Sequence, residues 1–192
     1  RYHDQAGNIS LVYSDQITLD QTAPTGSVVI NNNDPYVATE IVLLNLSATD
    51  GTGSGVSQMS FSTDNLNWTQ PEAFATSKSF TLPAGDGSKT VYVRYHDQAG
   101  NISLVYSDQI TLDTAPPTGS IAINNNDPYT NSIAVTLTLT GSDAGSGVDM
   151  MRFSTDGGAS WTDWEAFAAS KALTLPAGDG AKEVQYQLRD LL

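Results

Sequence analysis

The chain has 192 residues, and its 21 acidic residues against 8 basic ones give a net charge of −13. So acidic a protein repels nucleic acid phosphates and anionic membrane surfaces, and no stretch approaches the roughly 18 to 20 consecutive apolar residues of a membrane span. The sequence contains no cysteine, which excludes disulfides, thiol catalysis and Cys-ligated zinc. We therefore expect neither nucleic acid binding nor membrane insertion.

The sequence repeats itself with a long period. Its opening, RYHDQAGNISLVYSDQITLD, recurs without change 93 residues later at residues 94–113, and TGS, INNNDPY and LPAGDG recur at the same offset. The register shifts by one residue only in the segments at Gly51 and Asn65, which are predicted to be loops. Because the period exceeds the roughly 20 to 50 residues of solenoid repeats, each repeat is predicted to be a domain of its own.

The segments between the turn signals have the alternation of half-buried strands. In the second repeat, Val135, Leu137 and Leu139 alternate with threonines, and helical periodicity never persists beyond a few residues. The predicted fold class is all-β, with tandem immunoglobulin-like antiparallel β-sandwich repeats of about 93 residues. In the first complete repeat we expect strands near residues 26–31, 40–48, 56–62, 67–74, 78–82, 89–96 and 101–112.

Four motifs in chain order point to one family. They are DxxGSGV at Asp50–Val56, FSxDxxxW at Phe61–Trp68, DxAGNxS at Asp97–Ser103 and a linker resembling LDxTAPTGS at Leu112–Ser120. Together they resemble the bacterial Ig-like (fibronectin type III-like) tandem repeats of large secreted or cell-surface proteins. The resemblance implies surface display in rod-like arrays, and in some cases ligand or calcium binding.

The repeat defines three predicted segments. Residues 1–21 are expected to be the C-terminal strands of a preceding repeat, residues 22–113 a complete repeat, and residues 114–192 a repeat without its last strand. Because the first residue is Arg1, we expect a fragment or a processed product. A sandwich without its last strand exposes unpaired backbone, so residues 8–20 of one copy could fill the open groove of another. Such an exchange would be intermolecular, but the interpretation that we favour is that these boundaries reflect a cut in a longer chain.

No constellation for catalysis is apparent, and the chain is predicted not to be an enzyme. His3 and His96 occupy one repeat position, and the next copy has Arg189 there. Glu72 and Glu165 have no partner carboxylate placed by the sequence and are expected to be solvated loop residues. Trp68 and Trp161 are expected to pack at the core or an edge, whereas Trp164, unique to the second repeat, is a candidate platform for a sugar ring.

Aspartates provide the candidate site with the clearest physical basis. In a sandwich of this topology, the loops after the second and sixth strands lie where the preceding linker enters, so two sets of three aspartates are expected to converge. No cofactor is predicted, and the favoured interpretation is that each Asp accepts hydrogen bonds within its own turn. The alternative is that three carboxylates and backbone carbonyls bind calcium, although no compact DxDxDG loop is present. The two sets are Asp20, Asp50 and Asp97, and Asp113, Asp143 and Asp190.

The predicted function is structural: repeats that space or project something at a bacterial cell surface or outside the cell, as a stalk or an adhesin segment. Two alternatives remain open at this point. The chain could be the subunit of an extracellular filament joined by strand exchange, or a carbohydrate-binding accessory module of a secreted enzyme. The expected partners are neighbouring repeats of the same protein and other copies of the chain.

Overall fold

A computed structural model describes all 192 residues, whose regular structure consists of strands and two 3-10 turns, Asn31–Asn33 and Asn124–Asn126. The structure contains no helix with the length and apolar character needed to cross a membrane. The strands are β1 (Thr25–Ile30), β2 (Tyr36–Val37), β3 (Ile41–Thr49), β4 (Val56–Ser62), β5 (Glu72–Ala73), β6 (Ser77–Thr81), β7 (Gly87–Asp97), β8 (Tyr106–Leu112), β9 (Thr118–Ile123), β10 (Ala134–Ser142), β11 (Val148–Ser154), β12 (Glu165–Ala166), β13 (Ser170–Thr174) and β14 (Gln185–Asp190).

The same strand order occurs in both repeats. The orders β1-β3-β6 and β7-β4-β5 in the first repeat correspond to β9-β10-β13 and β14-β11-β12 in the second. The first repeat extends the second of these sheets with two further strands, giving the order β2-β8-β7-β4-β5. All pairings with a defined register are antiparallel apart from the two-residue pairing of β2 with β8. The all-β fold class of tandem sandwich repeats is therefore confirmed.

By internal contacts the chain divides into two compact units. The first consists of Arg1–Val28, Leu46–Thr76 and Tyr92–Ser107, and the second of Val29–Asn45, Ser77–Val91 and Asp108–Leu192. The predicted boundaries after residues 21 and 113 follow the sequence repeat instead of these units, and they remain predictions.

The second unit contains a sandwich core built from alternating residues. Val135, Leu137 and Leu139 of β10 are buried, whereas the threonines between them are exposed, as the sequence pattern predicts. They pack against Met151 and Phe153 of the facing sheet. Burying side chains of this size stabilises the fold by about 1.5 to 3 kcal/mol each. The rest of this core comprises Leu175 and Val184, with the partly buried Ile121, Ile123, Phe167, Leu173, Tyr186 and Leu188.

The first unit is organised around Tyr95 of β7. This residue pairs with Met59 of β4 and is completely buried, and its hydroxyl donates to the Ser27 carbonyl at 2.6 Å. Phe74 packs edge-on against its ring, with the centroids 5.8 Å apart. Burial raises the pKa of the Tyr95 hydroxyl above its ordinary value, so Tyr95 acts here as a neutral hydrogen-bond donor within an apolar core.

The repeated INNNDPY motif forms an unusual turn after β1 and after β9. Asn31, Asn32 and Asn33 all have positive φ angles, of 43°, 57° and 69°. Asn tolerates this left-handed region better than other residues with a side chain. The Asn31 Oδ1 atom accepts the backbone N–H of Leu43 at 2.8 Å, which fixes the turn to β3. The same geometry recurs at Asn124–Asn126.

Three strand predictions differ from the structure. The segment predicted at 67–74 contains only the two-residue strand β5, and the one predicted at 101–112 becomes a strand only from Tyr106. Before Tyr106, the Ser103 hydroxyl accepts the N–H of Tyr95 at 2.9 Å, so a side chain takes the place of a strand carbonyl. Strand β2 was not predicted, because its two residues are ordered by pairing with β8 and have no alternation of their own.

Residues 1–20 contain no strand in the structure. Their one regular feature is an isolated antiparallel bridge between His3 and Ile9, which corresponds to the bridge between His96 and Ile102. Their assignment to the end of a preceding repeat remains a prediction.

Candidate metal centres

Two clusters of three aspartates occupy equivalent positions in the two repeats. The first Asp triad consists of Asp20, Asp50 and Asp97. Each residue has one carboxylate oxygen that lies within 4.8 Å of a carboxylate oxygen of both other residues. The second Asp triad consists of Asp113, Asp143 and Asp190 and meets the same criterion. The convergence predicted from the sequence is therefore confirmed for all six residues.

Strand ends position the carboxylates of the first Asp triad. Asp50 follows directly after β3, Asp97 is the last residue of β7, and Asp20 precedes β1 by a few residues. Because β3 and β7 end where β1 begins, two loops and the incoming chain meet there. In the second repeat the corresponding positions are the residue after β10, the last residue of β14 and the residue after β8.

The incoming chain is hydrogen-bonded to the loops by the first Asp triad. The Asp20 Oδ2 atom accepts the N–H of Ser54 at 2.6 Å, a residue 34 positions away in the loop after β3. The Asn101 side-chain amide donates to the backbone carbonyl of Asp20 at 3.2 Å and to the Asp97 Oδ2 atom at 2.8 Å. These contacts connect the linker with both loops.

In the second Asp triad the linker aspartate makes the same contact. The Asp113 Oδ2 atom accepts the N–H of Ser146 at 2.6 Å, as Asp20 does from Ser54. Asp143 uses only its Oδ1 atom within its own loop, where it accepts the N–H groups of Gly145 and Gly147, both at 2.9 Å. Asp113 and Asp143 thus also accept hydrogen bonds within turns. This is the turn-capping role that the sequence predicts in the absence of metal binding.

One carboxylate oxygen in the first Asp triad has no hydrogen-bond partner. Asp50 is 8% exposed, and its Oδ2 atom accepts the Gly55 N–H at 2.7 Å, but its Oδ1 atom is buried and unpartnered. A buried charged oxygen without a partner is costly. An open cleft of about 430 Å³ borders Asp20 and Asp50.

Glycines allow the loops to approach the carboxylates. A Cβ atom on Gly53 would collide with the side chains of Asp50 and Asp20, and one on Gly145 would collide with the Asp113 carboxylate. These two glycines belong to the GSG sequences that follow Asp50 and Asp143. The loop was predicted from its motif, but this role of its glycines was not, although GSG recurs in both repeats.

Hydrogen bonds favour the charged form of the linker aspartates. The hydroxyl of Ser54, with the N–H groups of Thr22 and Ser54, holds the pKa of Asp20 below its ordinary value. The hydroxyl and N–H of Ser146 lower the pKa of Asp113 in the same way. An ionised carboxylate is the form that binds a metal ion.

The spacing of each triad matches the dimensions of a calcium site. Calcium binds oxygen at about 2.3–2.6 Å, so oxygens on opposite sides of the ion lie about 5 Å apart. The triad oxygens lie within 4.8 Å of one another, so a single ion can contact all three. Calcium also accepts the irregular geometry that loops provide, whereas magnesium demands a regular octahedron with shorter bonds. The residues therefore fit calcium, which would also offset the repulsion among three close carboxylates.

The remaining candidates from the sequence do not form a site. Glu165 lies in β12, not in a loop, and its Oε2 atom accepts Lys171 Nζ at 2.6 Å. Glu72 likewise lies in β5. The Nε2 atom of His96 is 2.9 Å from the Ser60 hydroxyl.

Guanidinium groups cover the tryptophan rings. Arg94 lies over Trp68 at 4.3 Å from the ring centroid, and Arg152 lies over Trp161 at 4.9 Å. Trp164, the candidate sugar platform, faces two guanidinium groups, those of Arg152 at 4.5 Å and Arg189 at 5.0 Å. The contacts of Arg94 and Arg152 agree with the packing interpretation of Trp68 and Trp161, and two arginines compete with a sugar ring for the surface of Trp164.

The sequence matches no protein-family model and no curated protein. Among solved structures, the chain is similar to the Clostridium thermocellum CbhA fibronectin(III)-like modules, with 16% identity and a TM-score of 0.43 over 85% of this chain and 86% of that one. It is also similar to the PKD1 domain of Vibrio anguillarum Epp, with 15% identity and a TM-score of 0.35 over 49% of this chain and 99% of that one.

A third similar structure is a tetra-tandem repeat in the extending region of a large adhesion protein. It shares 18% identity with this chain, with a TM-score of 0.27, and the match covers 90% of this chain and 50% of that one. At these TM-scores and identities, none of the three structures indicates the function of this chain.

Proposed function

We propose that the chain is a non-enzymatic structural region of an extracellular or cell-surface bacterial protein, where its repeats act as spacers in a stalk or adhesin. In this proposal, calcium bound at each Asp triad fixes a repeat to the segment that precedes it. The observation that carries the proposal is the recurrence of the same three-carboxylate cluster in both repeats, at the point where the linker enters.

The position of each triad suits this role. A spacer keeps its length only if the junctions between its repeats resist bending. Asp20 and Asp113 belong to the linkers, whereas their partner aspartates lie at strand ends of the following repeat. An ion bound by all three carboxylates connects linker and loops more strongly than the hydrogen bonds to Ser54 or Ser146 alone. The recurrence of the same triad in two repeats whose other residues differ at many positions agrees with a mechanical role.

Melting in calcium and in chelator tests the proposal. Extracellular calcium modules bind with dissociation constants of about 0.1 to 1 mM. At 10 mM calcium a site of about 0.1 mM affinity adds about 2.7 kcal/mol of stability, which raises the melting temperature by several degrees in a chain of this size. Magnesium at the same concentration should have a smaller effect.

A double variant and a control variant assign the calcium-dependent rise in melting temperature to the triads. Combining Asp50→Asn with Asp143→Asn should abolish the difference between calcium and chelator, whereas Asp163→Asn, which removes an exposed charge outside the triads, should retain it. Equal melting temperatures in calcium and chelator for the unmodified chain would contradict calcium binding and leave only the turn-capping role. A calcium effect that persists in the double variant would place the ion elsewhere.

A further inference from the structure

The outer face of the second repeat carries a group of two arginines and two tryptophans, the Arg–Trp cluster, which consists of Arg152, Arg189, Trp161 and Trp164. Arg152 lies in β11 between Met151 and Phe153, whose side chains are buried in the core, so its own side chain points away from the core. Its guanidinium carbon lies 4.9 Å from the ring centroid of Trp161 and 4.5 Å from that of Trp164. Two indole rings therefore restrict the position of one guanidinium group.

Most of the hydrogen-bonding capacity of this guanidinium group is not used within the chain. Arg152 donates a single hydrogen bond, from Nε to the Gln187 Oε1 atom at 2.8 Å. A guanidinium group is planar, and its N–H groups lie at its edge, so stacking on a ring leaves them available. The N–H groups of the Arg152 Nη atoms thus form a positioned fork that matches the oxygens of a carboxylate.

The Arg–Trp cluster is cationic on a chain that is otherwise acidic. The guanidinium group of Arg189 lies 5.0 Å from the ring centroid of Trp164, which Arg152 also contacts. Neither arginine forms an ion pair, although the chain contains 21 acidic residues. Because like charges at short distance repel each other, an anion bound beside them offsets that repulsion. Charge complementarity therefore favours an anionic ligand at this cluster.

The first repeat has only part of this arrangement. Arg94 lies over the ring of Trp68, at 4.3 Å from its centroid. Pro71 stands at the position that Trp164 has in the second repeat, so Arg94 lacks the second indole ring that restricts Arg152. We therefore expect the ligand at the second repeat and not at the first.

We propose that the Arg–Trp cluster binds an acidic saccharide through the carboxylate of a uronic acid unit. Arg152 holds the carboxylate with its fork, and Arg189 adds a second positive charge. Because the arginines lie over the indole rings, the sugar ring packs along the ring edges of Trp161 and Trp164. This inference goes beyond the proposed function and does not depend on calcium.

Two features favour a saccharide over an acidic peptide. A uronic acid carries its carboxylate on a rigid ring, so binding immobilises fewer rotatable bonds than binding the side chain of Asp or Glu. The Gln187 side chain uses only its Oε1 atom within the chain. Its amide N–H groups can therefore donate to the hydroxyl groups that a sugar ring presents next to its carboxylate.

The net charge of −13 opposes the approach of an anion, but salt limits this repulsion to short distances. At an ionic strength of about 0.15 M the Debye length is about 8 Å, so charges farther than this from the cluster are largely screened. Direct contacts within the Arg–Trp cluster then decide the affinity, and a short oligosaccharide is the appropriate probe.

Calorimetric titration with trigalacturonic acid in calcium-free buffer tests the inference. We expect one trisaccharide to bind per chain. Its methyl ester, which has the same rings without the charges, should bind at least about tenfold more weakly, because it cannot form charge-assisted hydrogen bonds. Calcium-free buffer excludes binding through an ion at an Asp triad, so a failure here would not contradict the proposed function.

Two variants give the second repeat the residues of the first. Arg152→Ser introduces the residue of the equivalent Ser60, and Trp164→Pro that of Pro71, so both should fold, as melting curves would verify. Each should weaken binding at least about tenfold. Arg152→Lys should also weaken it, because an ammonium group has no planar fork. Arg94→Gln is the matched control and should bind like the unmodified chain.

Three outcomes would overturn the inference: no binding of trigalacturonic acid, equal binding of its methyl ester, or equal affinities of Arg152→Ser and Arg94→Gln. Binding of a triglutamate peptide as tightly as the trisaccharide would also overturn it, because the cluster would then recognise acidic peptides and not a sugar ring.

Discussion

Asp156 and its counterpart Asp64 show how a single carboxylate organises a loop. The Asp156 Oδ1 atom accepts the Ser154 hydroxyl at 2.7 Å and the Ser160 N–H at 2.9 Å. The hydroxyl and N–H of Ser160, with the Ser154 hydroxyl, lower the pKa of Asp156 to about 2. The pKa of Asp64 is also lowered, by hydrogen bonds from the backbone and side chain of Asn67, from the Leu66 N–H and from the Ser62 hydroxyl.

This shift predicts a dependence of stability on pH. Because the folded state has the lower pKa, ionised Asp156 stabilises the fold at pH values above its unfolded pKa of 3.8. That stabilisation is lost as the pH falls toward 2. Asp156→Asn should therefore lower the free energy of unfolding at pH 7, by an amount that shrinks between pH 4 and pH 2.

Urea unfolding at several pH values measures this difference, and Asp163→Asn controls for the loss of one negative charge. If the deficit of Asp156→Asn remained constant down to pH 2, the hydrogen bonds to its ionised form would not be the cause.

Among the elements, the INNNDPY turn combines local strain with a fixed contact to β3. Three successive residues with positive φ are costly for any side chain, and costliest for β-branched ones. Asn33 is exposed and has a φ of 69°, so Asn33→Val should lower the free energy of unfolding by about 1 to 2 kcal/mol.

Glycine adopts this conformation without steric cost, so Asn33→Gly should lie within about 0.5 kcal/mol of the unmodified chain. Chemical denaturation of both variants makes the comparison. Equal losses for Val and Gly would show that the Asn side chain, and not the backbone conformation, stabilises the turn.

The strands show how far the sequence determines the elements. Alternation predicts β3 and β10 because one face of each is buried in a core. It does not predict β2, whose order depends on a neighbouring strand.

For the whole molecule, the repeat is what made the candidate site predictable. The equivalent aspartates recur at strand ends, and an immunoglobulin-like topology brings those ends together, so all six residues could be named from the sequence. The unpartnered Asp50 Oδ1 atom and the approach of Gly53 could not, because they depend on the conformation of the loop after β3.

The stoichiometry of calcium binding tests the central claim most directly. Calorimetric titration of the full chain should give two ions per chain, one for each Asp triad. Asp50→Asn should reduce this number to one, and combining it with Asp143→Asn should reduce it to zero. A chain that binds no calcium, or a double variant that still binds two ions, would contradict the account.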